Sequence, residues 1–226
     1  MTKTAPANIV SFSGGKDSTA MLLMLIEKGY PIDKIVFADT LEEFPEMYEY
    51  IAKVEKYINR KIIKVSPKTT FSKWFYGLAV KGKHKGKMRG FPPNNAHCYW
   101  SREVKDYTLK KYCYGQNVYL GIAYDEPNRI KEHPKFNALY PLNEWKMTEA
   151  DCLSFLRQRD LHNSLYDRFQ RLGCWFCPKQ RKTSLKSLWQ FYPYLWLKLK
   201  VLANESPCGF GRDLNKLELE FKGELI

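Results

Sequence analysis

The chain contains no run of about 18 or more apolar residues, which excludes a membrane-spanning helix. Its first residues, Met1-Thr2-Lys3-Thr4-Ala5-Pro6, lack the apolar centre of a secretory signal. A cytoplasmic protein is therefore expected, and a disulfide framework is not. There is no internal repeat and no long polar segment of low complexity, so a packed core is expected rather than disorder. Acidic side chains are in short supply, with 24 Asp and Glu against 37 Lys and Arg, a net charge of +13. So strong an excess fits either a soluble basic surface or a polyanionic partner. Absent too is the Walker spacing, with four residues between the first glycine and Gly-Lys.

What is present begins at residue 8. Asn8-Ile9-Val10-Ser11-Phe12 reads as a buried strand, and Thr19 to Ile26 reads as a helix. Between them lies Ser13-Gly14-Gly15-Lys16-Asp17-Ser18. A strand, a small-residue loop and a helix N-terminus form an anion site, because the glycines admit close approach and the first helical amides point at the ligand. Lys16 supplies a mobile positive charge. Asp17 is placed to hold a metal ion or to orient a nucleophile.

Further along, Lys34 to Ala38, Lys61 to Val65 and Asn117 to Ile122 read as strands, while Glu46 to Tyr57 and Ser101 to Cys113 read as helices. The alternation predicts βαβ units, a parallel sheet and ligands at the C-terminal strand ends. Residues 66–97 read as an irregular, mobile basic loop carrying Lys81, Lys83, His84, Lys85, Lys87 and Arg89, then Pro92-Pro93-Asn94-Asn95. Beyond Met147 helices dominate, with breaks near Gly173 and Pro207. At 226 residues the chain suits one sizeable domain, or one with a small appendage.

The loop at 13–18 resembles the PP-loop of the ATP pyrophosphatases, the adenine nucleotide alpha hydrolases, whose fingerprint is Ser-Gly-Gly-x-Asp-Ser. Further landmarks resemble the sulfonucleotide reductases within that superfamily. These are Asp39-Thr40 with Phe44-Pro45-Glu46-Met47-Tyr48, Gly121-Ile122-Ala123-Tyr124-Asp125-Glu126 with Arg129, Tyr140 to Trp145, Leu165-Tyr166-Asp167 and Gly173-Cys174. The resemblance implies a Rossmann-like α/β fold: a parallel sheet flanked by helices, with a mainly helical, cysteine-containing C-terminal region. It implies a nucleotide-binding domain over 1–146 and a helical region over 147–226 packed on it. It also implies an adenine nucleotide, ATP or an adenylyl sulfate analogue, with Mg2+, held by Ser11, Ser13, Gly14, Gly15, Lys16, Asp17, Ser18, Asp39, Gly121 and Arg129.

Six cysteines are present. Cys113 and Cys152 lie among apolar or helical neighbours and read as small buried hydrophobes. Cys174-Trp175-Phe176-Cys177 has the spacing that lets two thiolates face one metal, with a redox pair as the rival reading. Cys98 precedes a helix, where the dipole lowers a thiol's pKa. Cys208 lies in Ser206-Pro207-Cys208-Gly209, a turn. Cys98, Cys174, Cys177 and Cys208 are thus the candidate metal ligands. The resemblance implies a [4Fe-4S] cluster, with Zn2+ as the alternative. It departs from the family at Cys98-Tyr99, where a Cys-Cys pair is the pattern. Cys208-Gly209 also matches part of the family's nucleophile motif, so ligand and nucleophile roles compete at Cys208.

Three functions follow. One is an enzyme that cleaves ATP between its α and β phosphates and adenylates, or transfers sulfur from a thiol or sulfur donor to, a tRNA or DNA acceptor. Its catalytic candidates are Lys16, Asp17, Cys98 and Cys208, with the basic loop and Arg181-Lys182 on the acceptor's phosphates. The second is a phosphoadenylyl-sulfate or adenylyl-sulfate reductase. The third is a non-enzymatic, metal-stabilised nucleic-acid-binding module.

Overall fold

A computed structural model describes residues 5–82, 85–91 and 98–223. Lys83, His84 and the Pro92–Asn95 stretch of the expected basic loop lie outside the described residues.

The strands are β1 (Asn8–Phe12), β2 (Lys34–Ala38), β3 (Ile63–Val65), β4 (Asn117–Leu120) and β5 (Asn137–Leu139). They form one sheet in the order β3-β2-β1-β4-β5, and every pair is parallel. The helices of the sheet region are α1 (Lys16–Glu27), α2 (Pro45–Ile58), α5 (Tyr107–Cys113), α6 (Pro141–Glu144) and α7 (Glu149–Arg157). Elsewhere lie α3 (Phe71–Tyr76), α4 (Tyr99–Ser101), α8 (Lys182–Phe191), α9 (Pro193–Glu205) and α10 (Leu214–Lys222), with a π-helical turn at Arg102–Asp106. The expected α/β fold with a helical C-terminal region is what the chain forms. Among the described residues no helix is long and apolar enough to cross a membrane.

The chain makes two compact units, and the division does not run along the sequence. The first gathers residues within 1–39, 45–66 and 104–165, the second residues within 40–44, 67–103 and 166–226.

In the first unit the central strands are apolar on both faces, as a parallel sheet covered by helices requires. Ile9, Val10, Val36, Phe37 and Val118 are buried there. From the helices, Met21, Leu22 and Leu25 of α1, Ile51 and Val54 of α2 and Leu156 of α7 are buried. Cys113 packs with Ile9, Val36 and Val118, so the small-hydrophobe reading of this cysteine holds. Cys152 on α7 is fully buried as well.

Several boundaries differ from expectation, each for a local reason. β3 starts at Ile63 because the Ile62 amide donates to Glu55 Oε1 at 2.8 Å instead of entering the ladder. β4 stops at Leu120 because Ile122 folds back to donate to the Leu120 carbonyl. β5 was not foreseen: it is three residues at the sheet edge. An asparagine ladder ties it in, Asn137 donating to Asn117 Oδ1 at 3.0 Å and Asn117 to Asn8 Oδ1 at 3.1 Å.

The second unit is built on aromatic packing. Phe71 and Phe176 stack with ring centroids 3.6 Å apart, and Trp100 meets Phe71 edge-on at 5.5 Å. Residues 66–97 are not simply an irregular loop. They contain α3, capped by the Thr70 hydroxyl, which accepts from the Lys73 amide. After it the chain pairs on itself, with Ala79 N–H to Lys87 O, Gly86 N–H to Ala79 O and Arg89 N–H to Gly77 O.

The sheet order reverses direction between β1 and β4, the point at which open α/β sheets bind ligands. There Gly121 allows the chain after β4 to meet the start of α1. A Cβ on Gly121 would lie 2.7 Å from Ser18 Cα and 2.8 Å from Ser18 N. Backbone on both sides cannot give way. Gly121→Ala is therefore expected to cost about 1–3 kcal/mol and to lower Tm by roughly 2–4 °C per kcal/mol. A thermal melt checks it, and an unchanged Tm would contradict the close approach.

Candidate functional site

The loop of residues 13–18 leaves β1 at its C-terminal end and enters α1. Gly14 adopts a left-handed φ of +70°, and a Cβ there would sit 2.4 Å from Met47 Sδ, so both conformation and space demand glycine. Ser18 closes the loop from inside. Its hydroxyl donates to the Gly15 carbonyl at 3.0 Å and accepts the Ser13 amide at 3.1 Å. Thr19 adds a second hydroxyl bond to the Gly15 carbonyl at 2.9 Å. Gly15 is the N-cap of α1 and brings no side chain to close the helix end. First-turn amides of a helix have no partner within it, so this end is disposed to meet an anion.

One residue that supports the loop escaped the sequence reading. Asn163 is buried, donates to the Gly14 carbonyl at 3.2 Å and accepts the Leu165 amide at 3.0 Å. It sits in a short polar stretch, His162-Asn163-Ser164, between Leu161 and Leu165, which gives no sign that it is buried.

Charge converges at the same place. Lys16 Nζ lies 2.8 Å from Glu149 Oε1 and 3.4 Å from Asp17 Oδ2. Carboxylate oxygens of Asp17, Glu126 and Glu149 lie within 4.8 Å of one another. Glu126 comes from the turn after β4 and Glu149 from the first turn of α7. That turn is fixed by a reciprocal cap between Thr148 and Asp151, and by the Glu149 amide, which donates to Asp125 Oδ1 at 3.0 Å. Arg129, expected at the nucleotide, pairs with Glu126.

These carboxylates suit a divalent cation. Oxygens about 2.1 Å from an octahedral Mg2+ stand roughly 3–4 Å apart. Asp17 Oδ1 is buried and has no hydrogen-bond partner. Neither Glu126 nor Glu149 carried a sequence signal for this role, because they reach Asp17 only through the tertiary fold. Asp39, at the end of β2, is buried, and its Oδ1 accepts from the Tyr48 hydroxyl at 2.9 Å. Ser11 lies within β1, and Gly121 contributes the close approach already described.

The four candidate thiols all belong to the second unit. Cys98 caps α4, its sulfur accepting the Ser101 amide at 3.3 Å. Cys174 and Cys177 form a tight turn in which the Cys177 amide donates to the Cys174 carbonyl at 3.1 Å. The two residues between them anchor that turn. Phe176 stacks in the aromatic core, and Trp175 donates to Glu42 Oε2 at 3.0 Å. Gln180 binds the Trp175 carbonyl at 2.6 Å and the Cys174 carbonyl at 3.3 Å.

Cys174 and Cys177 line a cavity of about 280 Å3, whereas the exposed Cys208 lines a different one. Among the described residues no three cysteine sulfurs lie within 4.8 Å of one another. A closed four-thiolate zinc cage would hold its sulfurs about 3.8 Å apart. A [4Fe-4S] cluster binds each thiolate to a different iron and spreads them further. Cys113 and Cys152 are inert by burial, which pushes their thiols up to about 11 and about 12.

Residues 7–86 match the phosphoadenosine phosphosulfate reductase domain. The match covers about a third of the chain and includes β1, the loop at 13–18 and α1. An uncharacterised protein of Methanocaldococcus jannaschii is 29% identical over 215 residues, which are 87% of this chain and 41% of that protein. The chain thus spans less than half the length of this relative. The adenosine 5'-phosphosulfate reductase of Geobacillus kaustophilus is 29% identical over 169 residues, covering 70% of this chain and 67% of the reductase. The crystal structure of a phosphoadenylyl-sulfate reductase from Candida auris, in a phosphate complex, shares the fold. Its TM-score is 0.53 at 17% identity, over 74% of this chain and 81% of that one.

The Asp17 carboxyl is raised above its ordinary 3.8 by burial, which outweighs the attraction of Lys16, with Glu149 and Glu126 adding to the rise. The native state therefore holds this proton more tightly than the unfolded chain does. That contribution to stability is full below pH 3.8 and is lost as pH climbs through the raised native value. At neutral pH the ionised Asp17 is a net cost. Asp17→Asn is expected to keep or raise Tm at pH 7. Thermal melts of the two proteins check it, and a lower Tm for the variant would contradict the electrostatic account.

Proposed function

We propose that this protein is a PP-loop enzyme that binds ATP, or a related adenylyl nucleotide, and breaks the bond between its α and β phosphates. The adenylyl group, or the sulfur whose transfer it enables, goes to a nucleic-acid acceptor, and pyrophosphate leaves. The observation carrying this reading is the convergence on one helix end of the loop amides, Lys16 and the carboxylates of Asp17, Glu126 and Glu149.

The chemistry follows from charge. Without ligand, Lys16 is held by Glu149 and Asp17. A bound polyphosphate competes for Lys16, and its own charge is stabilised by the helix end. The carboxylates that Lys16 releases then suit a Mg2+ ion, which when bound neutralises phosphate oxygens and the developing leaving group. Thr148 and Asp151 hold the helix that carries Glu149, and Asn163 holds the Gly14 carbonyl, so neither part of the site needs to reorganise during reaction.

The cysteine set is assigned two duties. Cys174 and Cys177 are the nucleus of a metal centre, preferably an iron-sulfur cluster, with Cys98 a third thiol in the same unit. Cys208, exposed and in a separate cavity, is the thiol that faces the acceptor. Its exposure also supports a second reading, a sulfonucleotide reductase in which the Cys208 thiolate attacks the sulfur of adenylyl sulfate, the sulfur–oxygen bond to AMP breaks, and a thiol donor then attacks the Cys208 sulfur to release sulfite and leave a disulfide.

Pyrophosphate release from ATP that depends on added RNA or DNA is the expected result. Sulfite release from an adenylyl sulfate with a thiol donor, and no pyrophosphate, would decide for the reductase. Lys16→Ala is expected to lower turnover by at least about a hundredfold while leaving the fold intact, and turnover within twofold of the parent would refute its role. Anaerobically purified protein is expected to be brown, absorbing near about 400 nm, and Cys174→Ser to be colourless. Equal iron and sulfide in both would show that the Cys174 turn serves packing alone.

A further inference from the structure

A cavity of about 530 Å3 opens in the second unit, lined by none of the residues assigned to the nucleotide phosphates. Its size is within the roughly 300–1,000 Å3 of small-ligand sites. Its walls combine flat aromatic faces, cations and one thiol. Tyr99 is 49% exposed, and the Arg102 guanidinium lies 5.1 Å from its ring centroid. Arg89 lies 5.8 Å from the Trp74 ring. Lys81 is a third lining cation, and Glu103 is the one carboxylate in the lining among the described residues.

The surrounding backbone builds this arrangement. Arg89 donates to the Trp74 carbonyl at 3.2 Å, and a Cβ on Gly77 would come within 2.5 Å of its Nη1. Gly90 takes φ +63°, and a Cβ there would meet Ser206 Oγ at 2.5 Å and Pro207 Cδ at 2.8 Å. The Phe91 amide donates to Ser206 Oγ at 3.0 Å. These contacts dock the Ser206–Gly209 turn against the segment that carries Arg89, and so bring the exposed Cys208 to the cavity.

An inorganic anion would need the cations but not the rings. An acidic peptide would need the cations and no flat stacking surface. A duplex keeps its bases stacked inside. A half-exposed tyrosine braced by an arginine, with two further cations beside it, suits an unstacked base with its flanking phosphates. We propose that this cavity binds single-stranded nucleic acid, seating one base on Tyr99 and its phosphates on Lys81, Arg89 and Arg102, with the Cys208 thiol beside the bound nucleotide. The inference deepens the function proposed above and rests on its nucleic-acid acceptor.

The test is fluorescence anisotropy of a short fluorescein-labelled RNA of mixed sequence, single-stranded or annealed to its complement, over a salt series and without ATP. A DNA strand of the same sequence shows which sugar is preferred. Single strands are expected to bind more tightly than the duplex. Tyr99→Ala should weaken binding about tenfold and Tyr99→Phe by less than about twofold. Arg102→Gln should reduce the salt slope by about one. The double substitution Lys110→Gln, Lys111→Gln on α5 should leave single-strand preference intact. Equal affinity for duplex and single strand, or Tyr99→Ala binding like the parent, would overturn the proposal. Photocrosslinking of the unaltered protein to 4-thiouridine RNA decides independently of how any variant folds. Crosslinks at Trp74, Tyr99 or Cys208 support it, and crosslinks only elsewhere defeat it. Because RNA binding is read without ATP and ATP binding without RNA, failure of one leaves the other measurable.

Discussion

The first unit depends on two close approaches at the N-terminus of α1. Gly14 turns the chain over Met47 in a left-handed conformation, and Gly121 brings the end of β4 against Ser18. Neither approach tolerates a Cβ. The result is a helix end with its dipole and first amides directed at the sheet's switch point, where charged side chains from three segments gather. The positions of Lys16, Glu126 and Glu149 all follow from that contact.

Charge at this site is held in tension rather than neutralised. Burial disfavours the ionised form of Asp17, and two neighbouring glutamates disfavour it further. Lys16 offsets only part of this. A site with this charge suits a ligand pair of opposite charges, a cation for the carboxylates and a polyanion for the lysine, and binding of such a pair would couple to fold stability through the same few atoms.

In the second unit, aromatic packing rather than sulfur organises the structure. The residues inside Cys174-Trp175-Phe176-Cys177 are its anchors, one stacked on Phe71 and one bonded to Glu42. The same cluster of rings leads to Trp74 and Trp100, and the Trp100 indole N–H is buried without an acceptor. Rigid rings hold the loops on which the cysteines and the basic side chains stand, a placement that flexible loops of this composition would not keep by themselves.

Contiguous signals could be read directly from the chain. β1, the glycine loop and α1 follow one another within twenty residues, and their hydrophobic periods and small residues are local properties, so the parallel α/β fold and the tight loop between β1 and α1 were legible. Burial of Cys113 and Cys152 was legible for the same reason. α3 was hidden because its apolar residues sit among lysines and glycines, and β5 because three edge residues have no period. Glu126, Glu149 and Asn163 stand 109 to 146 positions from Asp17, at the ends of elements whose meeting is set by strand order. The allocation of Cys208 to a cavity apart from Cys174 and Cys177 is of the same kind. Local pattern specifies which elements form and which loop joins β1 to α1, whereas the convergence of distant side chains on that loop exists only once the sheet and its helices have closed around it.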